Sequence, residues 1–176
     1  MKVLQINDFE NQKLSEEKIV KRILAGEKEL YEMLVRRNNQ KLYRVIRSYL
    51  KEEVEIEDVM QESYLIAFSK LYQFKLESSF STWLIRIGIN ESLARIKKKG
   101  KMLHLNNGEN EHKSHWLEIP DHTQTSPQEE MIRKETKQLL EAAIDQLETK
   151  YRTVYVMKEL EEMSIKEISD TLNISV

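Results

Sequence analysis

The chain contains no cysteine, which excludes disulfides, thiol chemistry and the usual structural zinc site. Its 176 residues include only four glycines and two prolines, so helices meet few interruptions. No apolar run approaches the ~20 residues that span a bilayer. The first residues, MKVLQINDFENQKLSEEK, lack the apolar core of a signal peptide, so a cytoplasmic location without membrane insertion is the expectation. All four histidines (His104, His112, His115 and His122) fall in one stretch of weak periodicity. Glu109-x-x-His112 there fits half of a carboxylate–histidine metal site, but the second copy and the inward-facing helices it needs are not evident. No Ser/His/Asp set, phosphate-binding glycine loop or paired-carboxylate site stands out. The sequence therefore gives no case for catalysis, and no cofactor is expected.

What is present is charge and helical periodicity. Charged residues make up 33% and hydrophobic residues 40% of the chain, with a net charge of only −2. This composition favours an all-α fold. The charge is unevenly placed. Residues 86–101 carry +5, whereas 102–127 carry −3 and 128–176 carry −4. A basic island in a neutral chain points to a local nucleic-acid contact rather than a generally basic binder.

The island closes the stretch around which the chain is arranged, IEDVMQESYLIAFSKLYQFKLESSFSTWLIRIGINESLARIKKKGK, residues 56–101. Its first half places Ile56, Val59, Met60, Ser63, Ala67, Leu71 and Phe74 on one helical stripe. Glu57, Asp58, Gln61 and Glu62 occupy the opposite face. Its second half interleaves aromatics with cations, which suits single-stranded nucleic acid because rings stack on bases while cations hold phosphates. An acidic face leading into a basic helix implies two partners.

The periodicity predicts further elements. Ser15 caps a first helix that Gly26 ends, and residues 1–14 form a loose leader. A second helix buries Leu30, Met33, Leu34, Leu42, Val45, Ile46 and Tyr49, with a small break allowed at Asn38-Asn39. Helices over 56–74 and 80–99 flank a short loop, KLESS, at 75–79. Gly88 within the latter helix costs about 1 kcal/mol against alanine and points to close helix packing. Residues 102–127 read as a linker between two small helical domains. Ser126-Pro127-Gln128-Glu129 opens a helix burying Ile132, Leu139, Leu140, Ala143, Ile144 and Leu147. Thr149 caps the next, with Tyr151, Val154, Tyr155 and Leu160 inward. Ser164-Ile165-Lys166-Glu167 is a capping box opening a helix with Ile168 and Leu172 inward, followed by a tight turn at Leu172–Ser175.

DVMQESYLIAF followed by FSTWLIRIGINESLARIKKKG resembles region 2 of bacterial sigma factors, most closely the extracytoplasmic-function (ECF) group of the sigma-70 family. LETKYRTVYVMKELEEMSIKEISDTLNISV resembles sigma region 4. The resemblance implies region 2 over 15–101 and a partial region 4 over 128–176. Ser175 would cap a recognition helix that the sequence does not contain. It implies that Asp58, Gln61 and Glu62 bind the clamp coiled coil of core RNA polymerase, with flap contacts through region 4. It implies that Lys75, Ser79, Phe80, Arg86, Asn90, Arg95, Lys97 and Lys98 grip promoter DNA, the non-template strand of the minus-ten element. An anti-sigma factor is a further implied partner. The implied role is promoter recognition and opening in transcription initiation, without chemistry of its own. The alternative is a truncated protein that occupies core polymerase or an anti-sigma factor without initiating.

Overall fold

A computed structural model describes residues 14–102 and 127–175, and among them every regular element is helical. The elements are α1 Glu16–Leu24, α2 Tyr31–Arg47, α3 Glu53–Ser69, α4 Phe80–Met102, α5 Pro127–Gln146, α6 Thr149–Tyr155 and α7 Ile165–Leu172. Short 3-10 turns precede α2 (Lys28–Leu30) and follow α3 (Leu71–Gln73), and a π turn, Val156–Leu160, extends α6.

α1 starts where Ser15 accepts from the Lys18 amide, and it ends before Gly26, whose φ of +117° only glycine adopts readily. α2 runs unbroken through Asn38-Asn39. Asn38 is buried, and its amide donates to the Glu16 carboxylate at 2.9 Å and the Leu34 carbonyl at 2.9 Å, so a residue read as a break joins α1 to α2. α3 begins three residues earlier than the expected 56 and ends at Ser69, with Leu71 and Phe74 entering the core from the 3-10 turn beyond.

α1 to α4 enclose one core. Leu34, Leu42 and Ile46 of α2 meet Ile56, Val59 and Ala67 of α3 and Leu84 of α4. Tyr31 and Tyr64 fasten α2 to α3, each donating to a carbonyl of the other helix (Tyr64 at 2.7 Å, Val35 at 3.3 Å). Gly88 explains how closely α4 lies on α2. A Cβ there would sit 2.7 Å from Leu42 Cδ1 and 3.3 Å from Ile46 Cδ1. Alanine's helix-forming advantage, about 1 kcal/mol, offsets part of such a clash. A branched side chain has no such compensation. Gly88→Val is expected to lower unfolding free energy by about 1–3 kcal/mol, the usual cost of overpacking, as read by urea denaturation. A change under a few tenths would mean the helices are not packed this tightly.

The later helices lie directly on the earlier ones. Val45 of α2 and Ile85 and Ile89 of α4 share a second core with Ile144, Val156, Met157, Met163 and Ile168. The expected inner face of α5 is corrected here. Only Ile144 is buried among the apolar residues read as inward, while Ile132, Leu139 and Leu140 are exposed because nothing among the described residues packs over that part of the helix. On α6 the buried stripe is Arg152, Thr153, Val156 and Met157, and Tyr151 and Val154 face out. Arg152 is tolerated inside because its guanidinium donates to the carbonyls of Asp145 (2.8 Å) and Leu147 (2.7 Å).

The capping box of α7 is complete. Ser164 Oγ accepts from the Glu167 amide at 3.2 Å, and the Glu167 carboxylate accepts from the Ser164 amide at 2.9 Å. The helix ends at Asn173 in the left-handed region (φ 54°). The Ser164 side-chain and backbone hydrogen bonds hold the Glu167 carboxyl below its ordinary range. A lowered carboxyl contributes stability above its unfolded pKa and loses it as pH falls through the folded value. Ser164→Ala is expected to cost about 1 kcal/mol at neutral pH and to lessen the acid-side decline, measured by denaturation at neutral and acidic pH. Equal stability of the two proteins throughout would deny the cap any role.

Candidate polymerase and nucleic-acid interface

α3 presents Glu57, Asp58, Gln61 and Glu62 to solvent because Ile56, Val59, Met60 and Ser63 turn the opposite face into the core. α4 runs alongside. Its buried residues Leu84, Ile85, Ile89 and Ser92 leave Arg86, Asn90, Lys97 and Lys98 exposed and Arg95 half-buried. The acidic and basic faces are thus not two separate surfaces. Asp58, Gln61 and Glu62 form one wall of a cleft of about 450 Å³, and Arg95 and Lys98, with Glu91 one turn before them, form the other. Arg95 donates to Asp58 at 2.8 Å, and Lys99 pairs with Glu55 at 3.1 Å. Both pairs are partly exposed, so each contributes at most about 1 kcal/mol. Among the described residues Glu62 has no cation within ion-pair distance.

The loop before α4 is pinned at both ends. Ser79 Oγ accepts from the Thr82 amide at 3.1 Å and lies 2.8 Å from Thr82 Oγ1, which caps the helix. Leu76 sits at φ 60° with its side chain partly exposed, a strained position for a non-glycine residue. Lys75 and Ser79 are exposed. Phe80 requires a correction as a DNA contact. It is 1% exposed, and its ring packs edge-on to Phe74 (centroids 6.0 Å apart) and against Trp83 (5.9 Å), so burial removes it from reach of a base. Phe80 sets the loop's position instead. Trp83, half-buried, lines a shallow cleft with Lys70, Gln73 and Asn90. Lys70 and Gln73 went unnoticed in the sequence because they lie beyond the end of α3, where helical period gives no direction.

Arg86 and Asn90 lie on the flank of α4 that faces α7, and Arg86 donates to the Asp170 carbonyl. The four histidines and Glu109 lie outside the described residues.

Residues 34–102 match the family model of sigma-70 region 2, and residues 137–176 match that of sigma-70 region 4. The ECF RNA polymerase sigma factor SigW of Bacillus subtilis (strain 168) is 30% identical over 161 residues, covering 90% of this chain and 86% of that protein. The chain belongs to the ECF sigma factors. A second ECF relative, the sigma-E factor of Haemophilus influenzae, is 26% identical over 170 residues, covering 94% of this chain and 87% of its own. Two solved structures share the fold. One is the sigma factor RpoE of Bartonella quintana in complex with the anti-sigma factor NepR, with a TM-score of 0.63 and 15% identity over 82% of this chain and 84% of that one. The other is CnrH in complex with the cytosolic domain of CnrY, with a TM-score of 0.59 and 21% identity over 91% of this chain and 84% of that one. Among the described residues of this ECF sigma factor no helix is long and apolar enough to cross a membrane.

Proposed function

We propose that this sigma factor binds core RNA polymerase through Asp58, Gln61 and Glu62 and grips the opened minus-ten strand with Lys75, Ser79, Arg86, Asn90, Arg95, Lys97 and Lys98. In this reading residues 15–101 are region 2, 102–127 the linker and 128–176 the region 4 portion, with 1–14 a leader. The observation that carries it is the α3–α4 cleft, where an acidic wall and a basic wall belong to one rigid pair of helices. A carboxylate face set against arginines of a partner sets orientation and association rate. The cationic end of α4 then lies next to that contact, so docking on polymerase brings phosphate-binding groups to a fixed place on the DNA.

Strand capture helps melting because holding an unstacked base offsets the few kcal/mol spent in extruding it. The loop 75–79 stands beside α4 where such a strand would pass, held by Ser79 and by the Phe74–Phe80–Trp83 cluster. The protein itself carries out no covalent chemistry in this reading; the polymerase does. Its place of action is the cytoplasm. An anti-sigma factor is a further partner, to which α5 offers exposed Ile132, Leu139 and Leu140.

The test is transcription in vitro by bacterial core polymerase from a library of randomised upstream sequences, with and without this chain. A common sequence enriched upstream of new start sites, seen only with the chain present, is the expected result. Transcripts indistinguishable from those of core alone would refute it.

A further inference from the structure

The 3-10 turn Leu71–Gln73 that follows α3 holds an aromatic ring in solvent. In such a turn residues three apart lie on one side. Leu71 and Phe74, at 2% and 9% exposure, take that side into the core. The two residues between them, Tyr72 and Gln73, are therefore turned outward. Tyr72 is 72% exposed, more than any other aromatic among the described residues. The ring stands on a firm base. The Gln73 amide donates to the Lys70 carbonyl at 2.8 Å and the Phe74 amide to the Leu71 carbonyl at 3.1 Å. Gln73 Nε2 donates to the Tyr72 hydroxyl at 2.8 Å, which restrains the ring from the side and leaves its faces uncommitted.

Two cations bracket the turn. Lys70 and Lys75 are both exposed, and among the described residues neither has an ion-pair partner. No carboxylate lies between them in sequence; Glu77 is the first beyond. The turn is also continuous with α4, because Lys70 and Gln73 share a cleft of about 170 Å³ with Trp83, Asn90 and Glu91. An exposed, restrained ring between unpaired lysines suits a chain of bases and phosphates, and every base offers a face to stack on.

We propose that this turn is a further binding station for single-stranded DNA, at which Tyr72 stacks on a base that α4 does not hold while Lys70 and Lys75 take neighbouring phosphates. The station lengthens the stretch of open strand that the protein retains, and it does so without reading sequence. The inference rests on the reading of α4 as the DNA-gripping helix, since the strand reaches the turn from there.

The unaltered chain, Tyr72→Ala and Tyr72→Trp are titrated with a fluorescein-labelled mixed-sequence single-stranded DNA over a series of salt concentrations, and circular dichroism checks that all three are equally helical. Tyr72→Ala is expected to bind about tenfold more weakly, the scale of one lost stacked base, with the salt slope unchanged because no phosphate contact goes. Tyr72→Trp, which keeps a flat ring, is expected to bind at least as tightly as the unaltered chain. On a strand of equal length built of abasic nucleotides, the unaltered chain and Tyr72→Ala are expected to bind alike. Lys70→Ala/Lys75→Ala is expected to lower the slope of log affinity against log salt by about 1.4, at about 0.7 for each phosphate contact. Equal affinity of Tyr72→Ala and the unaltered chain on the normal strand overturns the station, as does an equal loss on the abasic strand or a Tyr72→Trp protein as weak as the alanine variant. If Arg95→Ala/Lys97→Ala/Lys98→Ala still loses the strand in that event, the reading of α4 stands alone. No binding by the unaltered chain sinks that reading, and the station with it.

Discussion

Replacing Asp58 and Glu62 together by lysine is expected to weaken association with core RNA polymerase at least about hundredfold. Both side chains are exposed on α3, away from the core formed by Ile56, Val59 and Met60, so the fold survives the change. Among the described residues the only intramolecular loss is the Asp58–Arg95 pair, which at 53% and 35% side-chain exposure is a weak contact of at most about 1 kcal/mol. At the interface the substitution does more than delete attraction. On the proposed contact it sets two cations against the partner's cations, and like-charge juxtaposition costs several kcal/mol. A loss of about 2.8 kcal/mol is the hundredfold change. Fluorescence titration of labelled protein against core polymerase reads it, with circular dichroism confirming the helices. A loss below about threefold would move the contact off this face. The Asp58–Arg95 pair gives a finer expectation. A polymerase cation that takes Asp58 competes with Arg95 and frees it, so core binding and strand binding reinforce each other across the cleft.

Removing the cations of α4 has the second large effect. Arg95→Ala/Lys97→Ala/Lys98→Ala is expected to reduce single-strand affinity about hundredfold near 0.1 M salt. The arithmetic follows from counterion release, in which each phosphate contact on a single strand contributes about 0.7 to the slope of log affinity against log salt. Three contacts removed lower that slope by about 2. The three sites differ in detail. Lys97 and Lys98 are exposed and ready, whereas Arg95 must first leave Asp58, so it contributes least in the free protein and more once polymerase is bound. An unchanged slope in the triple variant would mean that phosphates lie elsewhere. Because Lys97 and Lys98 are exposed and Arg95 gives up only its pair with Asp58, the variant's stability should match that of the unaltered chain within about 1 kcal/mol.

Local chemistry was readable from residues alone wherever a short pattern has one structural solution. Gly88 announced a close crossing, and the helix that meets it proved to be α2. Ser164-x-x-Glu167 announced a helix start and is a complete capping box. Period alone turned Ile56, Val59, Met60, Ser63 and Ala67 inward. What period cannot supply is the identity of the covering element. Leu139 and Leu140 have the spacing of a buried face, yet they stay exposed because the cover over α5 reaches only Ile144. Arg152 and Thr153 look like surface residues, yet they are buried, with the Arg152 terminal nitrogen bonded to the carbonyls of Asp145 and Leu147 across a turn and the Thr153 hydroxyl beside that of Ser48 on another helix. Asn38 is buried by the same logic, with Glu16 as its distant partner. The site shows the same limit. Acidic and basic segments were legible as stretches, but that Asp58 and Arg95 face each other at 2.8 Å depends on how α3 lies on α4. Phe80 illustrates the converse error, since an aromatic beside cations suits base stacking by composition while its neighbours Phe74 and Trp83 enclose it.

The measurement that bears most directly on the account is titration of the unaltered chain against purified bacterial core RNA polymerase over a series of salt concentrations. The account predicts a one-to-one complex, tight at low salt and weakening as salt rises, because charge on the α3 face guides the contact. Absence of a complex at the lowest salt, with the protein folded, would contradict it.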